Sequence, residues 1–155
     1  MGVSGSGKSA IGTALADELN LPFIDADDLH PASNIEKMRN GIPLTDEDRW
    51  PWLEKVGHAL EEKKNVVIAC SALKERYRDH IRNFAPNATF LLLAAPTELL
   101  EERVASRPGH YMPPSLLASQ LEALEPLRPA EKGIELVNVG ELEKVVATAL
   151  ASFRE

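Results

Sequence analysis

Gly2, Gly7, Lys8 and Ser9 stand in the stretch MGVSGSGKS at the spacing G-x-x-x-x-G-K-[ST]. That spacing belongs to a loop whose backbone N–H groups wrap a nucleotide's phosphates. Glycine lets the backbone take positive φ and approach phosphate oxygens, and a helix starting near Lys8 would aim its N-terminal dipole at the same anion. The chemistry implied is phosphoryl transfer. Gly2, Val3, Ser4, Gly5, Ser6 and Gly7 form the cradle, Lys8 reaches the β and γ phosphates, and the Ser9 hydroxyl binds Mg²⁺. Met1, Gly2 and Ser6 also satisfy the lipidation pattern M-G-x-x-x-[ST]. Phosphate binding is preferred, because the chain lacks the basic patch or second lipid site that stable anchoring needs.

The segment FIDADDLHPASNIEKM carries an acidic pair, Asp25 and Asp27, at the end of a strand-like run. The C-terminal edge of an open α/β sheet is where ligands bind. A carboxylate there can accept a proton from a hydroxyl attacking the γ-phosphate, or organise Mg²⁺ through water. His30 lies in the same segment and His110 in a later one, and neither has metal-ligand spacing with another His or Cys. Three cations are candidates for anion binding: Arg49 beside an acidic and aromatic cluster, and Lys74 and Arg78, which stand with Arg82 at i, i+4, i+8 on one helical face. Arg82 is read instead as part of a solvated face. The segment ERVASRPGHYMPPSLL adds Arg103 and Arg107 before a Pro-Gly-rich break, where arginines can close over phosphates during transfer.

These residues must be positioned by alternating strands and helices, the signature of a parallel sheet flanked by helices. Strands are expected at PFID (22–25), VVIAC (66–70), TFLLLA (89–94) and ELVNV (135–139), and helices over 8–19, 33–40, 46–63, 74–84, 97–106 and 141–153. Thr45 followed by Asp48 predicts a capping box with Asp in place of Glu. Trp50 and Trp52 are read as core. In such a fold the phosphate loop follows a central first strand, so a strand is expected upstream of Met1.

The remaining composition narrows the class. The chain has 155 residues, 44% hydrophobic and 26% charged, which suits one globular domain. A formal charge of -7 argues against a nucleic-acid partner. Cys70 is the single cysteine, so no internal disulfide forms and a reducing cytoplasm is compatible. No apolar run approaches 18 residues, so neither a membrane span nor a secretion signal is expected.

With GVSGSGKS, DADDLHPASNIEKMRNGIPLTDEDRWPWL, CSALKERYRD, RPGHYM and SQLEALEPL in that order, the sequence closely resembles the gluconokinases of the P-loop small-molecule kinases. The resemblance runs from Gly2 to the C-terminus. It implies a three-layer α/β/α fold with a parallel sheet in order 2-3-1-4-5, forming one domain over 1–155 with a small lid around 103–125. It implies transfer of the γ-phosphate of ATP to the 6-hydroxyl of D-gluconate, with Mg²⁺, in a cytoplasmic homodimer. By motif, Asp25 with Ser9 maps to the metal and Asp27 to the acceptor hydroxyl. Lys8, Asp27 and Arg107 are then the catalytic set, Arg103 joins the loop on ATP, and Asp27, His30, Arg49, Lys74 and Arg78 face the sugar acid. Two rivals remain. Shikimate kinases expect a glycine triplet where CSAL stands, and a non-catalytic nucleotide-binding module would bind ATP without turnover.

Overall fold

The computed structural model describes residues 1–106 and 114–153. Four strands alternate with seven α-helices in the described residues. β1 (Phe23–Asp25) pairs in parallel with β2 (Val67–Ala69), and β3 (Phe90–Ala94) pairs in parallel with β4 (Gly133–Val137). The two pairs form separate two-stranded parallel sheets among the described residues. The parallel pairing and the alternation of strands with helices agree with the α/β reading.

The two strand pairs face each other across an apolar cleft of about 460 Å³, lined by Ile11, Leu15, Val56, Ile68, Ile81, Phe90 and Leu93 among others. Met1 and Gly2 bridge its mouth. The Met1 backbone nitrogen donates to the Leu91 carbonyl at 2.6 Å, Leu93 N–H donates to the Met1 carbonyl at 2.9 Å, and Gly2 N–H donates to the Ser71 carbonyl at 3.3 Å. The phosphate loop is thus tied to both strand pairs.

Helices cover both faces. α1 (Lys8–Leu19) packs beside α7 (Leu142–Phe153), and their core joins Ile11 and Leu15 to Val145, Val146, Ala149 and Leu93. On the other face α3 (Asp46–Lys63) packs on α4 (Glu75–Phe84), gathering Trp52, Leu53, Val56, Tyr77, Ile81 and Phe90. The alternation along β3 serves both: Phe90 goes to one core, Leu91 and Leu93 to the other. α5 (Thr97–Ala105) and α6 (Pro114–Ala123) form a third cluster, in which Leu100, Val104 and Leu117 close on Val3 of the phosphate loop.

Two elements differ from expectation. α6 was read as part of a Pro-Gly-rich break, yet proline suits the first turn of a helix because its missing N–H would have no partner there. β4 begins at Gly133 rather than Glu135. Among the described residues it pairs only with β3, and its Val137 stays exposed, so apolar character marks its limits poorly.

A short 3₁₀ turn, Ala26–Leu29, and helix α2 (Ala32–Arg39) carry the chain from β1 toward α3. The capping box is present: Thr45 Oγ1 accepts from Asp48 N–H at 3.2 Å, and Asp48 Oδ2 accepts from Thr45 N–H at 2.9 Å. Hydrogen bonds from Lys37 and then from the Thr45 N–H hold the Asp48 carboxyl at about 2. That staple fixes where α3 begins, and so where Arg49 lies.

Candidate active site

The stretch from Gly2 to Ser9 is a wound loop feeding directly into α1. Ser6 N–H donates to the Val3 carbonyl at 3.1 Å, and Lys8 Nζ donates to the same carbonyl at 3.1 Å. Gly5 and Gly7 take φ of 82° and 95°, in the left-handed region where a side chain is strained. At Gly7 the space is closed as well, because a Cβ there would collide with Nδ2 of Asn138. α1 has no side-chain cap and no acidic residue in its first turn, so the positive end of its dipole is not offset there and suits an anion.

Three side chains outside the motif hold this loop in shape. Asn138 Nδ2 donates to the Ser6 carbonyl at 2.8 Å, Arg103 Nη1 donates to the Gly5 carbonyl at 3.2 Å, and Gln120 Oε1 accepts from Ser4 N–H at 2.7 Å. Arg103 also ties to the Asn138 carbonyl at 2.7 Å, which couples α5, the end of β4 and the loop. Sequence reasoning missed Asn138 and Gln120. Their signal was weak: Asn138 fell inside the expected strand 135–139, whereas β4 ends one residue before it, and Gln120 lies in SQLEALEPL, a segment used only for resemblance.

The loop opens onto a pocket of about 470 Å³ lined by Ser4, Gly5, Gly7, Lys8, Ser9, Asp25, Asp27, Ser71, Arg103 and Gln120. Phosphate cradle and acidic pair therefore share one cavity. Asp25 ends β1, and its Oδ1 accepts from Asp27 N–H at 3.0 Å, which orients the second carboxylate two residues on. Asp27 is exposed, yet its carboxyl is raised above the ordinary carboxylate value, first by partial desolvation and then by the negative charge of Asp25. His30 and Lys8 pull the other way. A raised carboxyl is the better proton acceptor near neutral pH.

The set of oxygen donors suits Mg²⁺. Among the described residues no group of three or more His, Cys, Asp and Glu gathers to hold an ion. Ser9 and Asp25 line the pocket together, and Mg²⁺ is commonly held by one or two protein oxygens with substrate phosphates and water completing its shell.

The predicted cations disperse. Arg49 lies near its helix start, 3.3 Å from Asp46 and over the Tyr77 ring at 5.4 Å, close enough to His30 to lower its pKa. Lys74 is the N-terminal cap residue of α4 and partly buried. Arg78, read from sequence as an anion ligand, is completely buried and spends its guanidinium on the protein. It forms a bidentate pair with Glu131 at 2.7 and 3.1 Å and donates to the Ala72, Leu73 and Pro126 carbonyls. Arg82 joins it on Glu131 at 2.7 Å rather than lying on a solvated face. The helical stripe is real, but two of its members form an internal clamp. Arg107 and His110 fall outside the described residues. Trp52 is core, as expected, with Nε1 donating to the Ala26 carbonyl at 2.7 Å.

Comparison with known proteins agrees with this geometry. The family model for shikimate kinase matches residues 4–130. The thermosensitive gluconokinase of Escherichia coli K12 is 50% identical over 143 residues, covering 90% of this chain and 76% of that protein. The gluconokinase of Arabidopsis thaliana is 41% identical, covering 97% and 88%. The crystal structure of a gluconokinase from Sinorhizobium meliloti 1021 superposes with a TM-score of 0.90 at 48% identity, covering 99% of this chain and 89% of that one. Shikimate kinase from Aquifex aeolicus, at 23% identity and a TM-score of 0.62, shares the fold. The chain is a member of the gluconokinase family, within the P-loop kinases of shikimate-kinase-like fold.

Proposed function

We propose that this chain transfers the γ-phosphate of ATP to the 6-hydroxyl of D-gluconate, giving 6-phospho-D-gluconate and ADP. The observation that carries the reading is the single pocket holding both the phosphate loop and Asp27. The loop N–H groups and Lys8 bind and orient the phosphates. Asp27 accepts the proton of the acceptor hydroxyl as that oxygen attacks phosphorus and ADP leaves. Mg²⁺, which Ser9 and Asp25 would hold, neutralises charge on the phosphates when bound. Arg103 steadies the loop, and Arg107 is assigned to the charge that develops during transfer. Arg49 and Lys74 are the remaining cations for the sugar-acid carboxylate, since Arg78 is already committed to Glu131.

The reading includes one catalytic domain with a small lid around 103–125. It also includes a homodimer in the cytoplasm, and no helix among the described residues is long and apolar enough to cross a membrane. The test is ADP release from MgATP with D-gluconate, with shikimate and with no acceptor. Release that depends on gluconate supports the reading. Release with shikimate alone would favour the neighbouring kinase class, and ATP binding without any turnover would favour a binding module.

The raised Asp27 carboxyl gives a pH prediction. The base must be ionised, so activity is present above its pKa and lost as pH falls through it. The acid limb of kcat/KM should lie above the ordinary Asp value of 3.8. Asp25→Asn removes the second cause of the rise, and the limb in its residual turnover should move to lower pH. An unmoved limb would show that another group controls it.

A further inference from the structure

Asn34 sits in α2 on the turn after His30 and is 2% exposed. Its Nδ2 donates to the Asp48 carbonyl at 2.9 Å and lies 3.2 Å from Nδ1 of His30. The first contact decides which end of the amide is nitrogen, because an oxygen there would face another acceptor. The second hydrogen of the same NH₂ group is then left for His30 Nδ1, which must accept it. A neutral imidazole that accepts at Nδ1 carries its hydrogen on Nε2.

Protonation of the ring would set N–H against N–H, so this neighbour opposes the imidazolium. Burial lowers the His30 pKa in the same direction, with Arg49 of α3 assisting and Asp27 of the 3₁₀ turn opposing. Rotation of the ring is also resisted. Trp52 stacks on it with centroids 4.2 Å apart and planes 16° from parallel, and is itself anchored to the Ala26 carbonyl.

We propose that Asn34 is a positioning residue: together with Trp52 it locks His30 as the neutral Nε2–H tautomer, giving the acceptor site a hydrogen-bond donor for a sugar hydroxyl. The proposal rests on the kinase reading above and deepens it. Asp27 lines the phosphate-loop pocket and His30, three residues on, lies close enough to feel its charge, so the lock divides their work: His30 donates, and only Asp27 is left to take a proton. A neutral donor also adds no positive charge that would compete with Lys8 for the phosphates.

The experiment is ¹⁵N NMR of the histidine rings in the full chain, with His30 assigned through His30→Gln, beside steady-state kinetics. The unaltered protein should show the Nε2–H pattern for His30 throughout the neutral range. In Asn34→Asp the carboxylate accepts from Nδ1–H, so at a pH where the ring is neutral His30 should change to the Nδ1–H pattern, which leaves no hydrogen on Nε2. KM for gluconate should then rise on the order of tenfold, the worth of one hydrogen bond, with KM for ATP unchanged. If the aspartate variant does not fold, Asn34→Ser, whose hydroxyl both donates and accepts, should give a mixed pattern. An Nδ1–H or imidazolium signal in the unaltered protein would overturn the proposal, as would a changed tautomer with gluconate KM intact. Absence of gluconate-dependent turnover in the unaltered protein would instead sink the kinase reading, while the ring signal still decides what Asn34 does.

Discussion

Asp27→Asn is expected to lower kcat by about a hundredfold or more, the usual worth of a general base, while KM for ATP changes by less than about threefold. The asymmetry follows from where the residue sits. Asp27 lines the pocket that the phosphate loop opens onto, but the loop's own support comes from Asn138, Arg103 and Gln120. Removing the charge therefore leaves the cradle intact and takes away the proton acceptor. Because Asp27 is exposed, the substitution should leave the melting temperature nearly unchanged. A folded variant with near-normal kcat would remove Asp27 from the base role.

Glu131→Ala should have the largest effect on stability, about 3–5 kcal/mol, the cost of leaving a buried charge without its partner. Its side chain is 3% exposed and receives Arg78, Arg82 and the Arg128 N–H. Burial alone would raise this carboxyl, but the hydrogen bonds outweigh it and hold it at about 2, below its ordinary 4.5. A depressed folded-state pKa contributes stability that is present above about pH 4.5 and lost as pH falls toward 2. Glu131→Gln should therefore be less stable than the unaltered chain at pH 7, with the gap narrowing in acid. Denaturant unfolding at both pH values checks this, and an equal gap at both would show that the pair carries no pH-linked stability.

The clamp marks where sequence reasoning stops. Lys74, Arg78 and Arg82 do share a helix spacing, and spacing alone cannot say whether that stripe faces a ligand or a carboxylate about fifty residues later in the chain. Glu131 sits in a segment with no motif, and nothing local pairs it with α4. The elements that were legible are those dictated by short-range physics. Gly2, Gly7, Lys8 and Ser9 announce a phosphate loop because few other backbones need that pattern. Thr45 and Asp48 set a helix start that the structure places at the same residue. The contacts of Asn138, Gln120 and Asn34 were invisible because each bonds either a distant residue or a backbone carbonyl, and neither leaves a periodic trace.

The position of the new phosphate ester tests the central claim most directly. Proton-coupled ³¹P NMR of the product formed from MgATP and D-gluconate should show phosphorus coupled to two methylene protons, as transfer to the terminal 6-hydroxyl requires. Coupling to a single proton would place the phosphate on a secondary hydroxyl and contradict the acceptor geometry assigned to Asp27 and His30. A lack of any sugar phosphate would contradict the kinase assignment itself.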